Sequence, residues 1–65
     1  MMFKIGHVYS HTRMMDAAIL VLSSYKFLNG NYSVRVRWVS KNGGDFAEVE
    51  DVVIVEKEVK NWYLV

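Results

Sequence analysis

The stretch Asn31-Tyr32-Ser33-Val34-Arg35-Val36-Arg37-Trp38-Val39-Ser40 decides the fold. One side of its period-two pattern carries Tyr32, Val34, Val36 and Trp38, and the other carries Ser33, Arg35 and Arg37. Successive side chains of a β-strand point to opposite faces of the sheet, so this pattern predicts a half-buried strand. Asn29-Gly30 stands just before it. That pair predicts a two-residue hairpin turn, because both central residues of a type I′ turn need positive φ.

Residues 17–28 are predicted to form the other strand of this hairpin. A two-residue turn at Asn29-Gly30 fixes the register, with the pairs Phe27 and Tyr32, Tyr25 and Val34, Ser23 and Val36, and Val21 and Trp38. The apolar faces of both strands then meet, whereas a slip by one residue would place Lys26 and Ser24 on that face. A helix over residues 17–22 is the competing interpretation, since Ala and Leu favour helices. The period-two pattern continues through Ser23-Ser24-Tyr25, which favours the strand.

The remaining segments predict further short strands. Residues 3–9 alternate, with Phe3, Ile5 and Val8 inward and Gly6 as a bulge or close approach. A loop over 10–16, a turn over 41–44, a strand over 46–49, a bend at Glu50-Asp51 and a buried strand over 52–55 follow. Residues 57–60 are charged, with Val59 as their only anchor. Residues 61–65 end in apolar bulk that we expect to be tied down, against the first strand or against another chain.

Five or six short strands with turn signals about every ten residues predict an all-β fold. Meander order among them predicts a small SH3-like barrel of antiparallel strands, as a single domain over residues 1–65. A chain of 65 residues buries only about 60 % of its unfolded surface, so it needs a dense core or a partner. There is no cysteine, which excludes disulfides and thiolate metal sites. Hydrophobic residues make up 52 % of the chain, enough for a core with apolar surface left over.

No apolar run approaches the roughly 18 residues of a membrane span, and the N-terminal residues do not form a signal peptide. We therefore expect a cytoplasmic protein without membrane contact. The net charge of +1 indicates neither nucleic acid nor membrane as a partner. Residues 1–44 hold six basic groups against Asp16 alone, and residues 45–65 hold six acids against two lysines. Adjacent strands that interleave these halves would pair opposite charges.

The opening Phe3-x-x-Gly6-x-Val8, the hairpin ending in Val36-Arg37-Trp38, and Phe46 followed by Val52-Val53-Ile54 resemble small bacterial SH3-like barrel proteins. The YodC-type family of uncharacterised short proteins is one example. The resemblance covers residues 3–56. His7 stands where that family has an aspartate, the Gly-Gly-Pro turn of the family is missing, and residues 57–65 have no counterpart. The resemblance implies the fold and no activity, because fold and function separate readily.

Signals for catalysis or metal binding are weak. His7 and His11 would lie roughly 13 Å apart along a straight strand, too far for one metal ion, although a loop could bring them together with Asp16 as an oxygen ligand. Ser10 adjoins His11 in sequence, which does not establish a nucleophile with its base. The carboxylates of residues 48–58 indicate a solvated acidic face, and Gly43-Gly44 lacks the residues of a phosphate-binding loop. We predict no enzyme, no cofactor and no metal site.

The leading functional prediction is a non-enzymatic protein-interaction module. Methionine and aromatic residues are common at interfaces, and they predict a partner-binding set of Met14, Met15, Trp62, Tyr63 and Leu64. An adaptor, an inhibitor, or a bacteriophage-encoded effector that binds a host protein fits this description. Self-association through the C-terminal tail into a homo-oligomer is the companion prediction. Small-ligand binding at an oligomer interface is a third class, for which nothing in the sequence specifies a ligand.

The alternative function is nucleic-acid binding by the outer face of the 17–40 hairpin. The residues assigned to it are Arg35, Arg37, Lys26 and Lys41, with Lys4, Tyr9 and Tyr63 as neighbours. Basic groups interleaved with exposed aromatic rings are typical of surfaces that bind single-stranded nucleic acid. The competing interpretation pairs Arg35 and Arg37 with Glu48, Glu50, Glu56 or Glu58 on adjacent strands.

Overall fold

The computed structural model describes residues 3–42 and 45–65, with the backbone alone for residues 45–48. The elements follow in the order β1 Val8–His11, β2 Ala17–Lys26, β3 Tyr32–Ser40, β4 Asp45–Ile54, a 3-10 helix Glu56–Asn61 and β5 Trp62–Leu64. All five strands pair antiparallel in one sheet with the order β4-β3-β2-β1-β5. The predicted all-β, SH3-like barrel in meander order is confirmed. In the described part of the chain, no helix is long and apolar enough to cross a membrane.

One face of the curved sheet encloses the core. Its buried residues are Phe3, Tyr9, Ile19, Val21, Tyr32, Val34, Val36 and Ile54, with Trp38, Val52, Val59 and Trp62 packed against them. The strand β3 supplies every second side chain to this core, as its alternation predicts. The members come from all five strands, the N-terminal segment and the 3-10 helix, so the sheet wraps around a single centre.

The hairpin between β2 and β3 differs from the predicted two-residue turn. The Phe27 N–H donates to the Asn31 carbonyl at 2.8 Å, and the Gly30 N–H donates to the Phe27 carbonyl at 3.0 Å. Gly30 has a φ of 93°. These bonds close a three-residue loop whose third residue is left-handed, a position that glycine occupies without steric cost. The extra loop residue shifts the pairing by one, so the predicted register is wrong.

The shifted register reverses the faces of β2 near the turn. Lys26 now lies opposite Tyr32, and Tyr25 lies opposite Ser33 on the other side of the sheet. The Tyr25 ring therefore leaves the core side and contacts the Phe27 ring edge-on, with their centroids 5.2 Å apart. This is the one-residue slip that the apolar pattern of the two strands disfavours, and it exposes both aromatic rings.

A bulge in β2 restores the apolar pairing farther from the turn. Ser23 lies opposite Arg35 and Val21 lies opposite Val36, which leaves Leu22 as an extra residue on β2. Such a bulge shifts the register of the strand by one residue. Ile19 and Val21 consequently face the core in full burial, although Val21 lies opposite Val36 and not Trp38 as predicted.

The first and fourth strands also differ from prediction. β1 is Val8–His11 and not residues 3–9, because Gly6, at a φ of 86°, turns the chain ahead of it. Phe3 is buried as predicted, but Ile5 is exposed. β4 runs without the predicted bend at Glu50-Asp51, since Glu50 accepts a hydrogen bond from the Trp38 indole of β3 at 2.9 Å and Asp51 binds Arg35 of β3. Of the predicted turn over 41–44, Gly43 and Gly44 lie outside the described residues.

The C-terminal residues are tied to the first strand, as one of the two predicted alternatives required. His11 lies opposite Trp62, Tyr9 lies opposite Leu64, and the Val65 N–H donates to the Val8 carbonyl at 3.0 Å. The charged segment before β5 is a 3-10 helix that the sequence argument did not predict, and Val59 anchors it to the core as expected. The tail completes the barrel by covering one edge of β1.

The two left-handed glycines allow a matched test of the loops. Alanine at Gly30 or Gly6 is expected to cost about 1–2 kcal/mol of unfolding free energy, because L residues avoid this conformation. A Cβ added at Gly30 would also lie only 2.6 Å from the Glu56 side chain. A Cβ added at Gly6 would have no neighbouring atom within 4 Å. Gly30→Asn should cost less than Gly30→Ala, since asparagine tolerates positive φ. Urea denaturation of the three variants checks this, and equal stability of Gly30→Ala and the wild type would contradict the loop assignment.

Candidate functional site

We call the side of the sheet opposite the core the outer face. In cross-strand register it carries three rows of side chains, namely Val8–Leu20–Arg37–Val49, Ser23–Arg35–Asp51 and Tyr25–Ser33–Val53. Val49, Val53 and Tyr25 are each more than half exposed. The row with Val49 and the row with Val53 and Tyr25 lie on either side of the row that holds the Arg35–Asp51 ion pair. Exposed apolar side chains thus flank a charged row on this face, and apolar surface bordered by polar groups is typical of interaction sites.

An open groove of about 400 Å³ crosses this face near the end of β5. Its apolar walls are Val8, Leu20, Val39 and Val65, and its polar residues are Arg37, Ser40 and Lys41. We call this the outer groove. It spans side chains from β1, β2, β3 and the C-terminus, because the sheet order places those elements side by side.

The two arginines of β3 lie in different electrostatic surroundings. The Arg35 guanidinium donates to both carboxylate oxygens of Asp51, at 2.9 and 3.2 Å, and this pair lowers the pKa of Asp51. Arg37 projects from the same face two residues later. Among the described side chains no carboxylate lies within ion-pair distance of it, and it is half-buried in the outer groove. The predicted pairing of arginine with an acid on the adjacent strand therefore holds for Arg35, with Asp51 in place of the glutamates.

Lys41 places a second positive charge at the rim of the groove. Its ammonium donates to the Met14 carbonyl at 3.3 Å and lies 5.4 Å from the centroid of the Tyr63 ring. Hydrogen bonds from Lys41 and then from Ser10 lower the pKa of the Tyr63 hydroxyl. Ser10 is fully buried and also donates to the Ala17 carbonyl at 2.9 Å. This network holds Lys41 beside the groove without neutralising it.

The predicted partner-binding residues divide between two sides of the domain. Trp62 packs against the core, where its ring contacts His11 edge-on. Tyr63 faces the other way, toward Lys41 and the outer groove. Leu64 and Met15 remain exposed, and Met14 is half-buried, with its carbonyl bound to Lys41. Of the five, Tyr63 and the Met14 carbonyl meet near the groove.

The predicted basic set is divided in a similar way. Arg35, Arg37 and Lys41 lie on the outer face or at its rim, and Arg35 is already neutralised. Lys26 lies on the opposite side of the sheet, with its ammonium 5.8 Å from the centroid of the Tyr32 ring. The four residues do not form one basic surface.

His11 has a structural role. Its Nδ1 accepts the Arg13 N–H at 3.0 Å, so the proton sits on Nε2, which donates to Glu58 Oε1 at 3.0 Å. Both ring nitrogens are thus occupied. Ser10 points to the opposite side of β1 and is bound to Ala17, so the adjacent Ser10 and His11 form no nucleophile–base pair. The described residues include no group of three or more His, Cys, Asp or Glu side chains arranged to hold a metal ion.

The hydrogen bond between Glu58 of the 3-10 helix and His11 of β1 is expected to weaken in acid. Hydrogen bonds from His11 and Asn61, and the nearby charge of Arg13, lower the pKa of Glu58 against the effect of burial. Because the pKa of Glu58 is lower in the folded than in the unfolded chain, the ionised carboxylate stabilises the fold at pH values above the ordinary carboxyl pKa. This stabilisation is lost as the pH falls from about 5. Glu58→Gln should show a shallower decline than wild type in urea denaturation between neutral and acid pH. Glu56→Gln on the same helix is the control, and parallel profiles for all three proteins would contradict the assignment.

The sequence predicts a binding role for Arg37 and Lys41 of the outer groove but not for its apolar residues. Val8 was assigned to the core side, and Leu20 and Val39 were given no role. Their signal was present as a second set of alternating apolar residues on the face that also carries Arg37. A register across β1, β2 and β3 is needed to bring that set together, and beyond the bulge the predicted pairing of β2 with β3 is wrong by two residues.

Comparisons with known proteins add no relative. No family model matches the chain, and neither does any curated protein or any solved structure. The resemblance to the YodC-type family stays a prediction, and the function is argued from the geometry alone.

Proposed function

We propose that this chain is a non-enzymatic protein-interaction module that docks a partner on its outer face. The observation that carries the proposal is the set of exposed apolar side chains on that face, in which Val49 lies opposite Arg37 of the outer groove and Val53 and Tyr25 lie beyond the Arg35–Asp51 pair. Hydrophobic side chains grouped on one face of a small domain gain free energy when a partner covers them. An adaptor or an inhibitor, including a bacteriophage-encoded effector of a host protein, fits such a module.

The charge of the groove favours a foreign protein over a second copy as the occupant. A two-fold dimer uses the same patch on both subunits, so a dimer centred on the groove would bring Arg37 and Lys41 of one copy toward those of the other. Like charges held together at an interface are costly. A partner that presents acidic and apolar side chains has the complementary surface.

The catalytic alternative has little support in the geometry. Enzyme sites need a base or nucleophile with a free reactive atom. Both nitrogens of His11 are hydrogen-bonded, and Ser10 is buried with its hydroxyl engaged. The outer groove is lined mostly by aliphatic side chains, which suits docking better than acid–base chemistry.

A comparison of two double variants tests the docking face. Val49→Ser with Val53→Ser removes two exposed aliphatic side chains from the outer face. Ile5→Ser with Leu28→Ser removes two that are more exposed but lie in loops outside the strands. Each immobilised protein is incubated with a lysate of the cells that make it, after circular dichroism has shown that all are folded. Proteins retained by wild type and by the loop variant should be lost from the outer-face variant.

The same comparison can also contradict the proposed docking face. If the outer-face variant retains the same proteins as the loop variant, the docking face is wrong. Retention of nothing above an uncoated matrix by the wild type would remove the support for an interaction module.

Self-association stays a separate proposal. The pairing of β5 with β1 and the packing of Trp62 already account for the apolar tail within one chain. What remains for a second copy is the exposed part of Tyr63, Leu64 and Val65. Light scattering coupled to size exclusion measures the mass directly, and a monomer at all concentrations would remove the homo-oligomer.

Nucleic-acid binding is the second candidate, and one observation favours it. Arg37, Lys41 and the Tyr63 ring lie together at the groove, which combines positive charge with an aromatic surface. The neutralised Arg35 and the position of Lys26 interrupt the basic track that a phosphate backbone would follow. Binding of a mixed-sequence oligonucleotide that weakens steeply with salt would support this candidate. We propose the cytoplasm as the location for either function, which cell fractionation tests.

A further inference from the structure

We propose that the outer groove binds an acidic side chain of the partner protein, with its carboxylate held between Arg37 and Lys41 and its apolar neighbours in the groove. This inference rests on the proposed function and names the chemistry of the segment that docks.

The contrast between the two arginines of β3 points to an anion. Arg35 and Arg37 project from the same face two residues apart, and Asp51 binds Arg35 through both carboxylate oxygens. Arg37 faces Leu20 on one side and Val49 on the other, so its neighbours in register are aliphatic. A guanidinium that is half-buried among apolar groups gains more from a carboxylate than an exposed one does, because water screens it less. The described side chains supply no such carboxylate.

Lys41 adds a second donor at the same groove. Its ammonium donates to the Met14 carbonyl and lies against the Tyr63 ring, which are neutral groups. An ammonium has three N–H donors, so it can bind a further oxygen. The guanidinium offers a fork that matches both oxygens of a carboxylate, and the ammonium acts as a point charge.

The apolar walls of the groove indicate which side chains of the partner lie next to the acidic one. Val8, Leu20, Val39 and Val65 form most of the groove, and the groove is too apolar for a bare sugar–phosphate backbone to fill. An aliphatic side chain next to the acid would bury its surface against these walls. A peptide segment that alternates apolar and acidic residues meets both requirements.

A titration with two short peptides tests the carboxylate. The probes are acetylated and amidated pentapeptides with either one glutamate or one glutamine between two leucines. Amide chemical shifts of the isotope-labelled full chain are followed to millimolar peptide. We expect shifts at Val8, Leu20 and Arg37 with the glutamate peptide. The affinity for the glutamine peptide should be lower by about tenfold, as for loss of a charge-assisted hydrogen bond.

A double-mutant cycle locates the contact. Arg37→Gln should weaken the glutamate peptide by about tenfold and change the glutamine peptide little, which gives a coupling between the two groups. The matched control is Arg35→Gln with Asp51→Asn, which removes the neighbouring ion pair on the same face without changing the net charge. That control should bind both peptides like the wild type.

Three results would overturn the proposal. The first is equal affinity for both peptides, and the second is a set of shifts away from the groove. The third is no shift with either peptide while an oligothymidylate shifts Arg37 and Lys41 in a salt-sensitive way, which would assign the groove to nucleic acid. The lysate comparison separates this failure from that of the proposed function. If Arg37→Gln retains the proteins that the Val49 and Val53 double variant loses, the docking face stands and the carboxylate is wrong.

Discussion

A chain that ends at Asn61 is expected to show no cooperative unfolding transition, because it lacks β5. Stability of about 0.05–0.15 kcal/mol per residue gives a domain of this size about 3–10 kcal/mol in total. Truncation of a buried tryptophan costs about 3–5 kcal/mol, and half-buried Trp62 should lie near the low end of that range. The deletion also removes the pairing of β1 with β5, including Tyr63, which lies opposite the buried Ser10. Together these losses are as large as the stability of the domain.

Circular dichroism during thermal and urea unfolding measures this effect. Trp62→Phe in the full-length chain is the control, since it keeps the strand and most of the apolar contact, and it should remain folded with a lower midpoint. A truncated chain with the midpoint of the full-length protein would show that β5 does not hold the fold. It would also reopen the prediction that these residues serve a contact with another chain.

The core side of β3 could be predicted from the sequence because it depends on one strand alone. Alternation over Tyr32 to Trp38 specifies which side chains turn inward, whatever the strand pairs with. The fold class followed from the number and spacing of such segments. Predictions that needed one strand were therefore confirmed more often than those that needed the relation between two.

The hairpin register shows why predictions about the pairing of two strands were wrong. Asn29-Gly30 supplies a left-handed glycine, and both a two-residue and a three-residue loop can use one. The sequence does not distinguish them, and the choice reverses the faces of Tyr25 and Phe27. The bulge at Leu22 then returns Val21 and Ile19 to the core face, although opposite other partners than predicted, and no local pattern marks it. An error of one residue at a turn is enough to move two aromatic rings from the core to the surface.

Prediction of the candidate site from the sequence also required the pairing between strands. Val8, Leu20 and Val39 are far apart in sequence and meet only through the order β3-β2-β1. The charge on Arg37 was visible in the sequence, but its lack of an acid became visible only when Asp51 was seen beside Arg35. The proposed chemistry of the groove follows from an arginine that lies among aliphatic side chains and that no described carboxylate binds, and not from the presence of arginine alone.

Phe3→Ala is expected to lower the unfolding free energy by about 3–5 kcal/mol, the usual cost of truncating a buried phenylalanine. The Phe3 ring meets the rings of Tyr9 and Tyr32 edge-on, with both centroids 5.2 Å away, and the Trp62 ring at 6.1 Å. Such aromatic pairs add about 0.5–1.5 kcal/mol each beyond their buried area, although their values do not simply sum. The loss would consume much of the stability available to a 65-residue domain. Urea denaturation followed by tryptophan fluorescence measures it.

Phe27→Ala is the matched control, because it deletes the same side chain at an exposed position. Phe27 is 40 % exposed and contacts Tyr25 on the outer face, whereas Phe3 is 5 % exposed. Its removal should cost no more than about 1 kcal/mol, close to the value of one aromatic pair. Equal losses for the two variants would mean that the segment before β1 is not seated in the core, and the barrel would then be closed by β5 alone. A loss at Phe3 several times larger than at Phe27 would show that the segment ahead of Gly6, which belongs to no strand, supplies the centre of the core.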